Sequence, residues 1–322
     1  MSGIRPYQKI KKTGPFDLSA ILPEYTSFSH LLGHAVGELK ELPDFSEDTK
    51  IAIMSDFSGE HKGASYNTYS FLIMAYNKVG PFQAKAEELR RKYGYGEFAF
   101  KDLTYGPRSR ALPEFLNLVD NFIHGAVVTI AIDKRIGTVF GQSKQDTHPY
   151  IQKQLAELKL GRWKGEIAEK VLRVCHSIAL FTALTTHANQ KLLWYCDDDA
   201  INQDAQERSF EDTQNIFVRT LGMYCKHDFE LIGFAKSFTD KTHLDDLLSI
   251  PDLAAGAVQD ILHAHTTGDD NVPGGSEKEA LIRWIASQGK FLSKITLQIS
   301  PLPGGQLGSG VVHITPKSTT LQ

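Results

Sequence analysis

The sequence predicts an α/β protein, a mixed sheet of about five strands flanked by helices, with elaborations at its N- and C-terminal ends. Three observations point there. Short β-branched and apolar runs alternate with helical periodicities through the middle of the chain, which places helices on the faces of a sheet. The first two runs are joined by a short link, so the sheet opens with a hairpin and cannot be wholly parallel. The chain has 322 residues, 41% hydrophobic and 23% charged, a balance that suits a packed core rather than disorder.

The elements follow in order. Residues 1–49 read as an irregular extension punctuated by Pro6, Gly14, Pro15, Pro23 and Pro43, with one short amphipathic helix from Ser29 to Glu38. The core is expected over 50–268. It starts with the buried strand Ile51-Ala-Ile-Met-Ser-Asp56, which leaves through Asp56-Phe-Ser-Gly59. A β-rich run from Tyr66 to Tyr76 follows, then a charged helix from Gln83 to Lys92 that Gly94 and Gly96 end. A helix from Ser109 to Phe122 precedes the strand Val127–Asp133. The helix from Glu166 to His187 is apolar on most faces and should be buried. The strand Lys191–Cys196 ends in Asp197-Asp198-Asp199, the helix Glu211–Tyr224 follows, and Phe229–Phe234 is the fifth strand. Leu244 opens an apolar pattern leading into Asp252-Leu-Ala-Ala-Gly-Ala-Val258, where Pro251 suits a first helical turn. Over 269–322 a helix near Glu277–Ser287 precedes strand-like runs at Lys294–Ile299 and Val311–Thr315, joined by a Gly-rich turn.

Composition removes several functions. A formal net charge of -3 gives no bulk attraction to nucleic acid, so such contact needs a local basic patch. Cys175, Cys196 and Cys225 are far apart and form no C-x-x-C pair, which argues for buried thiols in a reducing compartment rather than a disulfide frame or thiolate zinc site. The start, Met-Ser-Gly-Ile-Arg-Pro, lacks an apolar signal core, and no run approaches the roughly 20 apolar residues of a membrane span, so a cytoplasmic protein with no membrane partner is expected. Neither a phosphate-binding Gly-x-x-x-x-Gly-Lys loop nor a Gly-x-Ser-x-Gly elbow is present.

The candidate chemistry is acidic. Three strands end at or beside aspartate: Asp56, Asp133 and Asp197 to Asp199. Ligands collect outside strand ends in open α/β sheets, so acids distant in sequence can converge there. Each acid alone also reads as an ordinary turn residue. Asp252 joins them if its small-residue helix, Ala254-Ala-Gly-Ala257, packs closely on the sheet; the competing reading is an acid favouring a helix dipole. By the strand period of two, Asp197 and Asp199 share a face and Asp198 does not. Glu97, in Gly96-Glu-Phe-Ala-Phe-Lys101, is a further candidate, with a solvent-facing strand residue as its alternative. Carboxylates suit Mg²⁺ or Mn²⁺, and such ions can clamp the oxygens of a phosphodiester.

His61 follows the Asp56 turn and could shuttle a proton, whereas His263 and His265 read as surface histidines. Arg90-Arg91-Lys92-Tyr93 and Lys9, Lys11 and Lys12 could touch phosphates, although such runs are more often solvated faces.

Together these residues resemble the family known as domain of unknown function 3800. Asp56-Phe-Ser-Gly59 stands where that family opens with Asp-Glu-Ser-Gly, Tyr69-Ser-Phe-Leu-Ile73 matches its apolar second strand, and Glu97 to Lys101 loosely resembles its Glu-centred motif. Asp133-Lys134 and an acid within Asp197–Asp199 match its later strand ends, and Pro251-Asp-Leu-Ala-Ala-Gly-Ala257 matches its closing helix. The resemblance spans roughly residues 50 to 265 and implies an RNase H-like fold with metal-dependent nucleic-acid cleavage. One departure stands out: Phe57 occupies the usual glutamate position, with Glu60 or Glu97 as possible substitutes. The expectation is therefore a nuclease with Asp56, Asp197, Asp199 and Asp252 on Mg²⁺ or Mn²⁺, and Glu97 and Asp133 as secondary residues. The alternative is a non-catalytic module that binds nucleic acid or a protein partner, for instance in a defence or mobile-element system.

Overall fold

A computed structural model describes residues 10–16, 18, 25–104, 106–205, 207–237, 243–269 and 275–315. In the extension, β1 (Lys12–Thr13) pairs antiparallel with β2 (Leu42–Pro43), and α1 (Ser27–Gly37) lies between them in sequence. α1 starts two residues before its expected point because Thr26 caps it, accepting the Ser29 N–H at 3.1 Å.

The leading hairpin forms as expected. β3 (Lys50–Ser58) runs antiparallel to β4 (Tyr66–Ala75), which runs antiparallel to β5 (Gly125–Asp133). Between β4 and β5 lie α2 (Gly80–Tyr93), ended by Gly94 at φ 68°, and α3 (Pro107–Phe122). Then come α4 (Lys144–Glu157), α5 (Gly165–Thr185), β6 (Lys191–Cys196), α6 (Phe210–Tyr224) and β7 (Leu231–Lys236). α4 was not expected; its polar sequence gives little apolar period beyond Ile151 and Leu155, which are the residues it buries with Thr147. α7 (His243–Thr267), α8 (Ser276–Ala286), β8 (Leu292–Pro301) and β9 (Leu307–Val311) complete the chain.

The sheet has seven strands in the order β7-β6-β3-β4-β5-β8-β9 rather than about five. The extra two come from the C-terminal hairpin, which joins the sheet because β8 pairs in parallel with β5. β9 forms earlier than expected, over the Gly-rich segment. Its Val311 N–H is accepted by Glu38 at 2.8 Å, and the Ser309 carbonyl lies 3.0 Å from His34 Nδ1, so α1 closes this edge.

Strand alternation divides the core into two layers. Ile51, Ile53, Phe57 and Trp194 pack with α1, α4, α5 and α6, while Ala52, Met54, Leu193 and Tyr195 pack with α2, α3, α7 and α8. α7 crosses β3, β4 and β5.

Pro251 corrects one expectation. It lies inside α7, not in a first turn, since the helix is already formed at His243. An interior proline costs about 3 kcal/mol, and burial of Leu247, Ile250, Leu253 and Ala254 offsets that cost. Among the described residues, no helix is long and apolar enough to cross a membrane.

Candidate metal centre

Backbone register brings the first two acids together. β3 and β6 are parallel with Ser55 opposite Cys196, so the next residues, Asp56 and Asp197, lie level on neighbouring strands. Asp56 shares the parity of Met54 and so belongs to the α7 side of the sheet, and Asp197, just past the end of β6, acts electrostatically on both Asp56 and Asp252. Asp56 is not the last residue of its strand: β3 continues to Ser58, and Asp56 pairs with Ser70. β6 does end at Cys196, so the acidic triplet is a turn and the expected alternation within it is replaced by three different partners. Asp197 accepts from Ser237 Oγ at 2.8 Å, Asp198 lies 3.4 Å from Lys236, and Asp199 pairs with Lys170 at 2.7 Å.

Asp252 comes from above the sheet. The Thr68 hydroxyl donates to the Ala255 carbonyl at 3.0 Å and holds α7 against β4. The tight approach expected at Gly256 is made to a ring rather than to the sheet, since a Cβ there would overlap Phe100. Phe100 opens a short 3-10 turn, Phe100–Asp102, and its N–H donates to Asp252 Oδ2 at 2.7 Å. Asp252 is the tenth residue of α7 from His243, so the helix-dipole reading does not apply to it.

The electrostatics link these acids. Burial raises the Asp56 pKa well above its ordinary value; Asp252 adds to the rise, Asp197 and Asp199 add less, and the Phe57 N–H opposes it. Burial likewise raises Asp252 to about 6, against the Phe100 N–H and with help from Asp197. One oxygen of each half-buried carboxyl is satisfied: Asp56 Oδ1 by Phe57 N at 2.6 Å, and Asp252 Oδ2 by Phe100 N. No hydrogen bond or ion pair among the described residues engages the other oxygen of either. Lys101 opposes the rise at Asp252 only in part. Mutually repelling carboxylates with so little countercharge hold a proton or recruit a cation.

The donor set fits a hard divalent ion, because Mg²⁺ usually takes one or two carboxylates with waters and substrate oxygens filling the rest. Asp56 and Asp252 are the residues that would hold it, with Asp197 adding negative charge to both. Among the described residues, no group of three or more His, Cys, Asp or Glu side chains is placed to hold a metal ion.

The other expected residues are placed differently. Asp133 is buried and belongs to its own turn: Arg135 binds it through Nη2 at 2.6 Å and through its backbone N–H at 2.8 Å. Register puts it beyond the level of Asp56, which lies in line with Ser70 and Thr129. Glu97 lies in irregular chain three residues before Phe100, half-buried rather than on a strand, with its carbonyl accepting from Arg108. Glu60 is exposed and pairs with Lys170, as Asp199 does. Phe57 packs on Tyr69 at 5.7 Å on the α5 side, with the Lys170 ammonium 4.9 Å from its ring.

His61 is exposed, and its carbonyl accepts from Lys134 at 2.6 Å. His263 bonds Ser65 and His265 is exposed. Of the basic runs, Arg90 is held by buried Asp246 at 2.6 Å, Lys92 by Glu114, Lys11 by Asp44 and Lys12 by Glu41. Lys9 lies outside the described residues.

α5 also carries a charged stripe that is buried at Glu169, Lys170 and Arg173 and exposed at Glu166. Glu166, Glu169, Lys170 and Arg173 follow the i, i+3, i+4, i+7 spacing of one helix face. Charges at that spacing on a helix otherwise apolar enough to be buried were the available signal. No protein-family model matches the chain, and no curated protein matches it.

Proposed function

We propose that the protein is a metal-dependent nuclease that cleaves phosphodiester bonds of nucleic acid on an RNase H-like fold. The observation that carries this reading is the electrostatic interaction among Asp56, Asp197 and Asp252, which come from β3, the residue after β6, and α7. The fold reading is supported by the order β5-β4-β3-β6-β7, in which β4 alone runs against its neighbours. Asp56 and Asp252 bind Mg²⁺ or Mn²⁺, with Asp197 as the third acid. Asp199 and Glu97 stand at the margin, the first neutralised by Lys170. The bound ion would supply an activated water and stabilise the departing oxygen. The backbone N–H groups of Phe57 and Phe100 each donate to one oxygen of these carboxylates, which leaves the other oxygen to take a ligand.

The test is cleavage of single- and double-stranded DNA and RNA with Mg²⁺ or Mn²⁺. Asp56→Asn and Asp56→Ala abolish cleavage while the fold persists. Unchanged cleavage by a folded Asp56 variant overturns the reading.

A second reading, a non-catalytic RNase H-like module that binds nucleic acid or a protein partner, is favoured by Lys170. Its ammonium already neutralises Asp199, and Phe57 stands in place of an acid. A folded protein that binds nucleic acid, cleaves none, and gains no stability from millimolar Mn²⁺ supports this second reading.

A further inference from the structure

On the α5 side of the sheet a cavity of about 460 Å³ lies beside the acidic turn. Tyr69, Glu169 and Arg173 line it and are all buried, while Lys134 on its wall is half-buried and Lys144 and Glu60 are more open. Its cations are not equally engaged. Arg173 donates to Glu169 and to the Tyr69 hydroxyl at 3.2 Å, and Lys170 pairs with Glu60 and Asp199. Glu169 also lies 2.7 Å from His148 Nε2; burial would raise its pKa, but Arg173, His148 and the Val139 N–H together lower it, so it stays charged.

Lys134 differs. Its hydrogen bond goes to the His61 carbonyl; Glu60 acts on it through space, but no carboxylate among the described residues forms an ion pair with it. Lys144 meets Glu166 at 3.4 Å, an exposed pair of little worth. Arg173 Nε is buried without a hydrogen-bond partner. The first turn of α5, which no side chain caps, adds Glu166 and Ile167 to the same wall.

We propose that this cavity binds the terminal phosphate of a single-stranded nucleic acid. A cavity with a buried floor receives the end of a chain rather than its middle. A phosphate monoester carries a charge of roughly -1.5 to -2 at pH 7, which suits the ammonium groups of Lys134 and Lys144 better than the single charge of a diester. Three oxygen acceptors can engage both, and the phosphate displaces the weak contact between Lys144 and Glu166. Ala200 lines the cavity and Lys170 joins it to Asp199, so a strand anchored there by its end runs past the C-terminal ends of β3 and β6 toward Asp56 and Asp252. The identity of the ligand as nucleic acid rests on the nuclease reading; the anion chemistry does not.

The test is fluorescence anisotropy with short single-stranded oligonucleotides bearing a 5′-phosphate, a 3′-phosphate or only hydroxyl ends. A chelator is present throughout, so binding is read without metal or cleavage. One phosphorylated end is expected to bind about tenfold tighter than the hydroxyl form, with inorganic phosphate competing for that increment. Lys134→Ala, which breaks no ion pair, removes the preference, and Lys134→Arg keeps most of it. Equal affinity for all three ends overturns the proposal, as does a preference that survives in a folded Lys134→Ala/Lys144→Ala variant. The two readings fail separately: an end preference with no cleavage at any metal concentration removes the nuclease and keeps the phosphate site, whereas cleavage with no end preference does the reverse.

Discussion

The Lys170 ammonium lies 2.7 Å from the Asp199 carboxylate and ties the acidic turn after β6 to α5. Lys170 is almost wholly buried, and its proton is held: burial would lower its pKa, but Asp199 and Glu60 more than reverse that. Replacing it with methionine leaves Asp199, whose charge adds to the rise in the Asp56 pKa, without its ion-pair partner. Lys170→Met is expected to cost on the order of 2 kcal/mol at pH 7.5, less than a fully buried pair because Asp199 is partly exposed. Denaturation with and without Mn²⁺ checks this, and the metal should stabilise the variant more than the parent. An equal metal effect in both would mean that Lys170 does not shield the site.

Asp252 gives the site a pH signature. Its folded pKa, about 6, lies above the ordinary 3.8, so the folded chain holds the proton more tightly than the unfolded chain does. Its contribution therefore favours folding near pH 4 and is lost as pH rises through about 6. Asp252→Asn keeps an acceptor for the Phe100 N–H and removes the charge. It should raise stability by on the order of 1–2 kcal/mol at pH 7.5 and change it little at pH 4. Urea titrations at the two pH values measure the difference, and equal effects at both would deny the repulsion.

Gly256 should invert an ordinary rule. Gly→Ala in an open helix stabilises by about 1 kcal/mol, but a methyl here meets the Phe100 ring. Gly256→Ala is expected to lose on the order of 2 kcal/mol and to weaken Mn²⁺ binding by displacing the Phe100 N–H from Asp252. Adding Phe100→Ala should recover part of the stability loss, and the double-mutant cycle reads that coupling directly. A stabilised Gly256→Ala protein would contradict the contact.

His176 acts in the opposite direction to Asp252. Burial pushes its pKa down to about 4, and its Nδ1 lies 2.8 Å from the Tyr224 hydroxyl. The unfolded chain takes up a proton below about pH 6.5, whereas the folded chain resists until about pH 4. Stability should fall as pH drops through that window, by up to about 1.4 kcal/mol per pH unit. A His176→Gln protein is expected to be less stable at pH 7.5 yet to show a flatter decline, measured by thermal melts between pH 7 and 4.5.

The sheet was legible where one signal sufficed. Ile51 to Asp56 and Val127 to Asp133 are apolar runs with clear ends, and both are strands of the sheet. The helix at Glu166 had enough apolar period to be read within two residues at each end. What failed needed information from partners. β9 is rich in glycine and forms because β8 and α1 satisfy its backbone on both sides. Pro251 was read by local preference, while the helix through it is held by burial on both sides of that residue. Within the candidate site, residue type singled out Asp56 and Asp252, and register then made Asp197 the neighbour of Asp56. The roles of Lys170 and Asp133 depend on side chains that close over them, Asp199 in one case and Arg135 in the other. No spacing along the chain encodes those contacts.

Successive residues of β3 face opposite compartments, with Asp56 on the α7 side and Phe57 on the α5 side against Tyr69. The sheet is thus a partition, and a position's parity is its address. A glutamate introduced at Phe57 would be delivered to the compartment of Lys170 and the phosphate cavity, not to that of Asp252. Acidity there and acidity at Asp56 can therefore vary independently, each changing the charge of one compartment only. A single inserted residue between Ile53 and Asp56 would exchange the two occupants at once.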